Sequence, residues 1–158
     1  MSPQNETARI VNQIERMYEG DSWHGDNVVA VLSDVTAEES VARPVSNAHT
    51  IRELVDHMTV WLDAVSRRIE GEAWQPKDAS DDWPPTSGTD DAAWQGAREA
   101  LGQAQARLRR IISALPVDRL DEPPIPDYSP AYVQAHGAVQ HTLYHLGQVA
   151  LLKKALRR

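Results

Sequence analysis

No proline interrupts any of the four stretches of this chain in which apolar residues recur at helical spacing. Proline removes a backbone donor and clashes with the preceding turn, so its placement decides where helices can run. Eight of the ten prolines lie from Pro76 onward, at the ends of the periodic stretches or between them. In NETARIVNQIERMY, residues Ile10, Val11, Ile14, Met17 and Tyr18 follow the i, i+3/i+4, i+7 pattern. In the second stretch, Thr50 and Glu53 read as a capping box. Ile51, Leu54, Val55, Met58, Trp61, Leu62, Val65 and Ile69 then make one stripe, and Gly71 ends it. The third stretch runs from about Asp90 to Leu115, with acidic residues at its start, arginines near its end and Pro116 behind it. The fourth begins near Pro130 and continues to the C-terminus.

Between them, WQPKDASDDWPPTSG and PVDRLDEPPIPDYSP are rich in Pro and Asp and read as loops. Within 21–49 the pattern predicts short helices at Val28 to Leu32 and around Ala37 to Ala42, and nothing alternates as a strand. The expected architecture is an all-α four-helix bundle with long connections, forming a single domain over residues 1–158. A chain of this length buries roughly 70% of its unfolded surface, enough for a core without staples.

A formal charge of −7 argues against nucleic acid as the main partner, because phosphate neutralisation needs a basic face. The absence of cysteine excludes disulfides, zinc–thiolate sites, iron–sulfur clusters and a cysteine nucleophile, and it fits a cytoplasmic protein. The opening MSPQNETARI lacks the basic-then-apolar pattern of a signal peptide, and no apolar run approaches the ~20 residues of a membrane span.

Six histidines remain to be explained: His24, His49, His57, His136, His141 and His145. In HTLYHLGQ, His141 and His145 stand one helical turn apart, and with Gln148 they fall within a sector of about 60°. Residues four apart have Cβ atoms roughly 5–6 Å apart, so both rings can reach one ion at ~2.0–2.1 Å. The neighbouring Gly137 and Ala138 leave room on that side. His57 flanks the stripe of the second helix, where a side chain can point along an interhelical groove. Three histidines from two helices would give a site with open positions, and imidazole ligation leaves zinc, nickel, iron, manganese and copper open. By spacing alone, an i, i+4 histidine pair is more often a surface feature or a hydrogen-bonded core pair than a site. Leu54, Ala138 and Thr142 stand where Glu-x-x-His would need glutamate, which speaks against a ferritin-like di-iron bundle. No His-Glu-x-x-His motif and no phosphate loop is present.

The succession of WHG (23–25), HTIRELVDHMTVWLDAVSRRIEG (49–71), a tryptophan-containing loop and HTLYHLGQVALLKKAL (141–156) resembles the DinB-like family over nearly the whole chain. The most specific parts are the histidine of ELVDH and the H-x-x-x-H-x-G-Q of the last helix. The resemblance implies a bundle in up-down-down-up order, often homodimeric. It also implies one divalent metal, zinc or nickel before iron or manganese, held by His57, His141 and His145. Characterised members include metal-dependent thiol S-transferases and a mycothiol-dependent isomerase, while others have no known activity. The implied function is therefore a metal-dependent thiol S-transferase or hydrolase of small molecules. The alternative is a non-catalytic metal- or ligand-binding, stress-related interaction protein. No general acid or base stands at a motif spacing from the three histidines.

Around these ligands, Gln148 is expected either to orient a ligand histidine or to make a packing hydrogen bond. His24 resembles a recurrent family position and either lines the pocket or serves its loop. Tyr144 either offers its hydroxyl to the pocket or packs in the core. His49 reads as structural, His136 points about 140° away from His141, and Trp74, Trp83 and Trp94 are expected around the long loop. Charges at LRR (108–110) and KKALRR (153–158) read as solvated faces. A second stripe of Val139, Leu143, Leu146 and Ala150 lies opposite the histidines and makes a homodimer face plausible.

Overall fold

The cap read at Thr50 forms with both of its hydrogen bonds. Thr50 Oγ1 accepts from the Glu53 amide, and a Glu53 carboxylate oxygen accepts from the Thr50 amide at 2.7 Å in the computed structural model of the chain, which describes residues 6–158. The helix so started, Ile51–Ile69, is the fourth of seven α-helices, and no strand occurs among the described residues. In order these are α1 (Glu6–Tyr18), α2 (Val28–Leu32), α3 (Ala37–Val41), α4 (Ile51–Ile69), α5 (Ala79–Asp82), α6 (Asp91–Ala114) and α7 (Ala131–Leu156). Gly71 ends α4 as expected. At a φ of 94° it donates to the Arg68 carbonyl while Glu72 donates to that of Arg67, the paired bonds of a Schellman turn.

The four long helices pack in the cyclic order α1, α6, α4, α7. Their stripes meet in a core where Ile14, Leu54, Met58, Leu62, Leu108 and Val149 are essentially inaccessible. Burying each such side chain contributes roughly 1.5–3 kcal/mol. The inward stripe of α7 changes character along its length. It starts with the small Ala131, Ala135 and Ala138 beside Gln134, runs through the polar Thr142 and His145, and returns to Leu146, Val149 and Leu152. Polar atoms therefore enter the interior at mid-helix, and small side chains leave space on one side of them.

Several expectations are corrected. The stretches read as loops contain α5 and a 3₁₀ turn at Val117–Arg119. Asp78 starts α5 by accepting from the Ser80 and Asp81 amides, in a helix too short for periodicity to reveal. Trp94 does not serve the long loop: it is buried in the core, its indole donating to the Val35 carbonyl at 2.7 Å. The charges at 108–110 are not wholly a solvated face, and Arg107 just before them is paired as well. Arg107 pairs with Asp63 and Glu70 across to α4, and Arg109 with Glu19 beyond α1. Lys153 and Arg157 are more than a solvated tail, since both reach Asp34 and Arg157 also grips Glu39, tying the end of α7 to the α2–α3 region. Of the second stripe on α7 only Leu146 is buried; the large apolar groups left exposed on that helix are Tyr132, Val133, Tyr144 and Leu151.

Gly96 sits on the exposed face of α6 with open space where a Cβ would stand. Gly96→Ala should stabilise the fold by about 0.5–1 kcal/mol through helix propensity, read as a shift in the urea midpoint at unchanged slope.

Candidate metal centre

α4 carries His57 inward, and α7 brings His141 and His145 to meet it. His57 Nε2 lies 3.1 Å from His141 Nε2, which lies 3.1 Å from His145 Nε2. The ligand-capable atoms of the three all fall within 4.8 Å of one another. Nitrogens bound at ~2.0–2.1 Å stand about 3.0 Å apart around an octahedral ion and about 3.4 Å around a tetrahedral one. The observed 3.1 Å falls between these values.

The far side of each outer ring fixes where its proton sits. His57 Nδ1 is 2.8 Å from the main-chain oxygen of Asp82, which can only accept, so that nitrogen carries the hydrogen. His145 Nδ1 is 2.7 Å from Gln148 Oε1, with the same consequence. Both Nε2 atoms therefore present lone pairs toward His141 Nε2. A single hydrogen on that nitrogen can satisfy one of them and never both. At least one close N···N contact lacks a proton, an arrangement that a cation between the rings resolves. The donor set thus fits a divalent metal.

Aromatic rings wall this centre. Trp83 stacks on His57 at 3.8 Å between centroids, and its other face stacks on His49 at 3.5 Å. The Trp61 indole donates to Asp82 Oδ1 at 2.7 Å, anchoring the end of α5 that supplies the carbonyl to His57.

A model of the DinB superfamily matches residues 21–149, most of the chain. The chain belongs to the DinB superfamily. No curated protein and no solved structure is significantly similar to it.

In this DinB chain all three histidines are held below the usual imidazole range. For His141 the value falls from 6.5 to about 4, first because of burial and then because cationic forms of His145 and His57 would repel it. Burial also leads for His57 and His145, opposed by the hydrogen bonds to Asp82 and Gln148 respectively. At neutral pH the rings are uncharged, the state a metal requires.

The other residues read from the sequence separate clearly. Gln148 touches the cluster through His145. Tyr144 meets the His145 ring edge-on at 4.9 Å but is largely exposed rather than part of the core. His24 is exposed and borders a groove between α1 and α7 that none of the three histidines lines. His136 rests against Tyr132, apart from the cluster. Asp82, Trp83 and the stacking role of His49 were not legible, because the loop holding Asp82 and Trp83 has no local pattern that says which helix it returns to. The order Asp78–Ala79–Ser80–Asp81, a cap signal, was the one available cue that the loop is built rather than loose.

Trp83→Ala removes the plane that orients His57. Such a ring pair is worth about 0.5–1.5 kcal/mol, so zinc affinity should fall roughly 3–10-fold in competition with a chromophoric chelator. The helical circular dichroism should be unchanged.

Proposed function

We propose that this DinB protein is a metal-dependent enzyme that holds one divalent ion, zinc or nickel, on His57, His141 and His145. On this reading it transfers or hydrolyses small molecules, with thiol S-transfer as the first candidate reaction. The observation that carries the reading is the convergence of three Nε2 atoms whose outer partners keep protons off two of them. A bound divalent ion supplies Lewis acidity and lowers the pKa of a water or thiol brought to it. The protein's part is to hold the three rings neutral, to fix two of them through Asp82 and Gln148, and to shield one side with Trp83.

The reading extends to an up-down-down-up arrangement of the four long helices and to a cytoplasmic homodimer. The exposed Tyr144 and Leu151 on α7 support a partner surface, and the cysteine-free composition suits a reducing compartment. One observation favours a non-catalytic binding role instead. The Asp82 carboxylate, which accepts from the Trp61 indole, stands 3.3 Å from His57 Nδ1, the ring nitrogen that does not face the cluster.

Elemental analysis of untagged protein tests the centre, with near one divalent ion per chain expected. Turnover of an electrophile with a low-molecular-weight thiol, abolished by chelation and restored by the same metal, tests catalysis. No metal after reconstitution with zinc, nickel and manganese would sink the centre. Metal without turnover would leave the binding role.

A further inference from the structure

A cavity of about 260 Å³ lies between α4 and α7, and of the three clustered histidines His141 lines it. Trp61 and His141 line it near the centre, Gly137 and Ala138 give it room, and Arg68 borders it further along α4. No Cβ atom crowds Gly137, where one would meet open space. The Trp61 ring bridges the two ends: its centroid is 5.8 Å from that of His141 and 5.2 Å from the Arg68 guanidinium carbon.

Arg68 is held but not neutralised. Its guanidinium lies between the rings of Trp61 and Tyr128, each centroid 5.2 Å away, and its Nε donates to the Trp74 carbonyl at 2.9 Å. Among the described residues no carboxylate pairs with it, and its two terminal nitrogens have no partner. The more deeply buried Arg52 shows the usual solution on the same helix: it pairs with Asp56 at 2.9 Å. Burial pulls the Arg68 guanidinium below its ordinary value, as expected of a cation lacking an anion.

We propose that this cavity is the substrate arm of the histidine centre and that Arg68 receives the carboxylate of a small molecule whose other end reaches the metal. The proposal rests on the metal-centre reading. A planar fork with both terminal nitrogens unengaged matches a carboxylate in two parallel hydrogen bonds. A single guanidinium in a small, largely apolar cavity balances one negative charge and not the two of a phosphate monoester. The aromatic walls suit an aliphatic or aromatic spacer between the two ends.

The probes are ω-mercapto carboxylic acids of three to eight carbons, each compared with its primary amide. The thiol supplies a metal-binding end, and the amide keeps the shape of the acid while removing its charge and replacing one acceptor oxygen with an NH2 donor. Calorimetric titration into zinc-loaded protein at pH 7.5 should show one chain length at which the acid binds at least tenfold tighter than the amide. In Arg68→Gln that preference should fall below threefold, while Arg68→Lys should retain part of it. Cobalt-substituted protein provides the separate readout, since its visible spectrum reports the metal and thiolate coordination in every variant. Metal uptake with equal binding of acid and amide at every length overturns the carboxylate assignment alone. A preference that survives Arg68→Gln, or Arg68→Lys should the former fail to fold, undiminished also overturns it. Failure of the wild type to take up cobalt or zinc removes the centre, and the substrate arm falls with it.

Discussion

His141→Ala abolishes stoichiometric metal binding, lowering zinc affinity by on the order of 10³-fold. His141 is the middle ligand, 3.1 Å from both other Nε2 atoms, so its loss leaves one histidine on α4 and one on α7 with no ring between them. A full set of protein ligands holds a structural zinc ion with roughly 10–16 kcal/mol, and one ligand of such a set accounts for about 3–4 kcal/mol. The fold should survive, because a half-buried imidazole facing two lone pairs contributes little to the metal-free state. Elemental analysis and chelator competition read the affinity, and circular dichroism reads the fold. His24→Ala and His136→Ala are the controls; both side chains lie away from the cluster and should leave stoichiometry and affinity unchanged. A wild-type metal content in His141→Ala would move the ion elsewhere and dismiss the convergence of the three rings as packing.

The parts of this molecule that were legible in the sequence are those written in local pattern. The capping pair Thr50–Glu53 and the turn at Gly71 bound α4, and the proline-free runs bound α6 and α7, because the backbone chemistry that starts and stops a helix acts over a few residues. The short helices read at Val28 to Leu32 and around Ala37 to Ala42 form at Val28–Leu32 and Ala37–Val41, and the structure adds a capping box at Thr36 that starts the second. The histidine pair of α7 was legible as a pair, since i and i+4 share a face. Its meeting with His57 rested on family resemblance, because nothing local says that α4 packs on α7 at that height. What was missed depends on contacts distant along the chain. Trp83 closes on His57 and His49 from a loop, and Trp94, in the first turn of α6, turns into the core and donates to the Val35 carbonyl. Arg68 reads as one of two ordinary basic residues near a helix end. Its lack of a carboxylate is a property of what Trp61, Trp74 and Tyr128 place around it.

The metal-free protein loses stability as the pH falls from about 6.5 toward about 4, and His141 is the largest single source of that loss. In the unfolded chain its imidazole takes up a proton near 6.5, whereas the folded chain holds it neutral until about 4. Between these values the unfolded state binds more protons, so acidification favours unfolding. The full stability is present above the unfolded value and is lost as pH descends through the folded one. Because the adjoining cavity admits water, the loss is expected to be about 2 kcal/mol rather than the whole of the shift. Urea unfolding of metal-free protein at pH 7.5, 6 and 5 measures it, and His141→Gln should flatten the dependence while leaving the pH 7.5 value nearly unchanged. The same neutrality governs metal uptake. His57 and His145 are likewise held below their ordinary range, so the three ligands are already deprotonated at pH 7. Zinc binding at that pH should therefore release well under one proton per ion from the imidazoles, measured by calorimetry in buffers of different ionisation enthalpy. Release of clearly more than the one proton that a metal-bound water can give up would mean that the rings are charged before the metal arrives. The proton assignments that aim their lone pairs at one point would then be wrong.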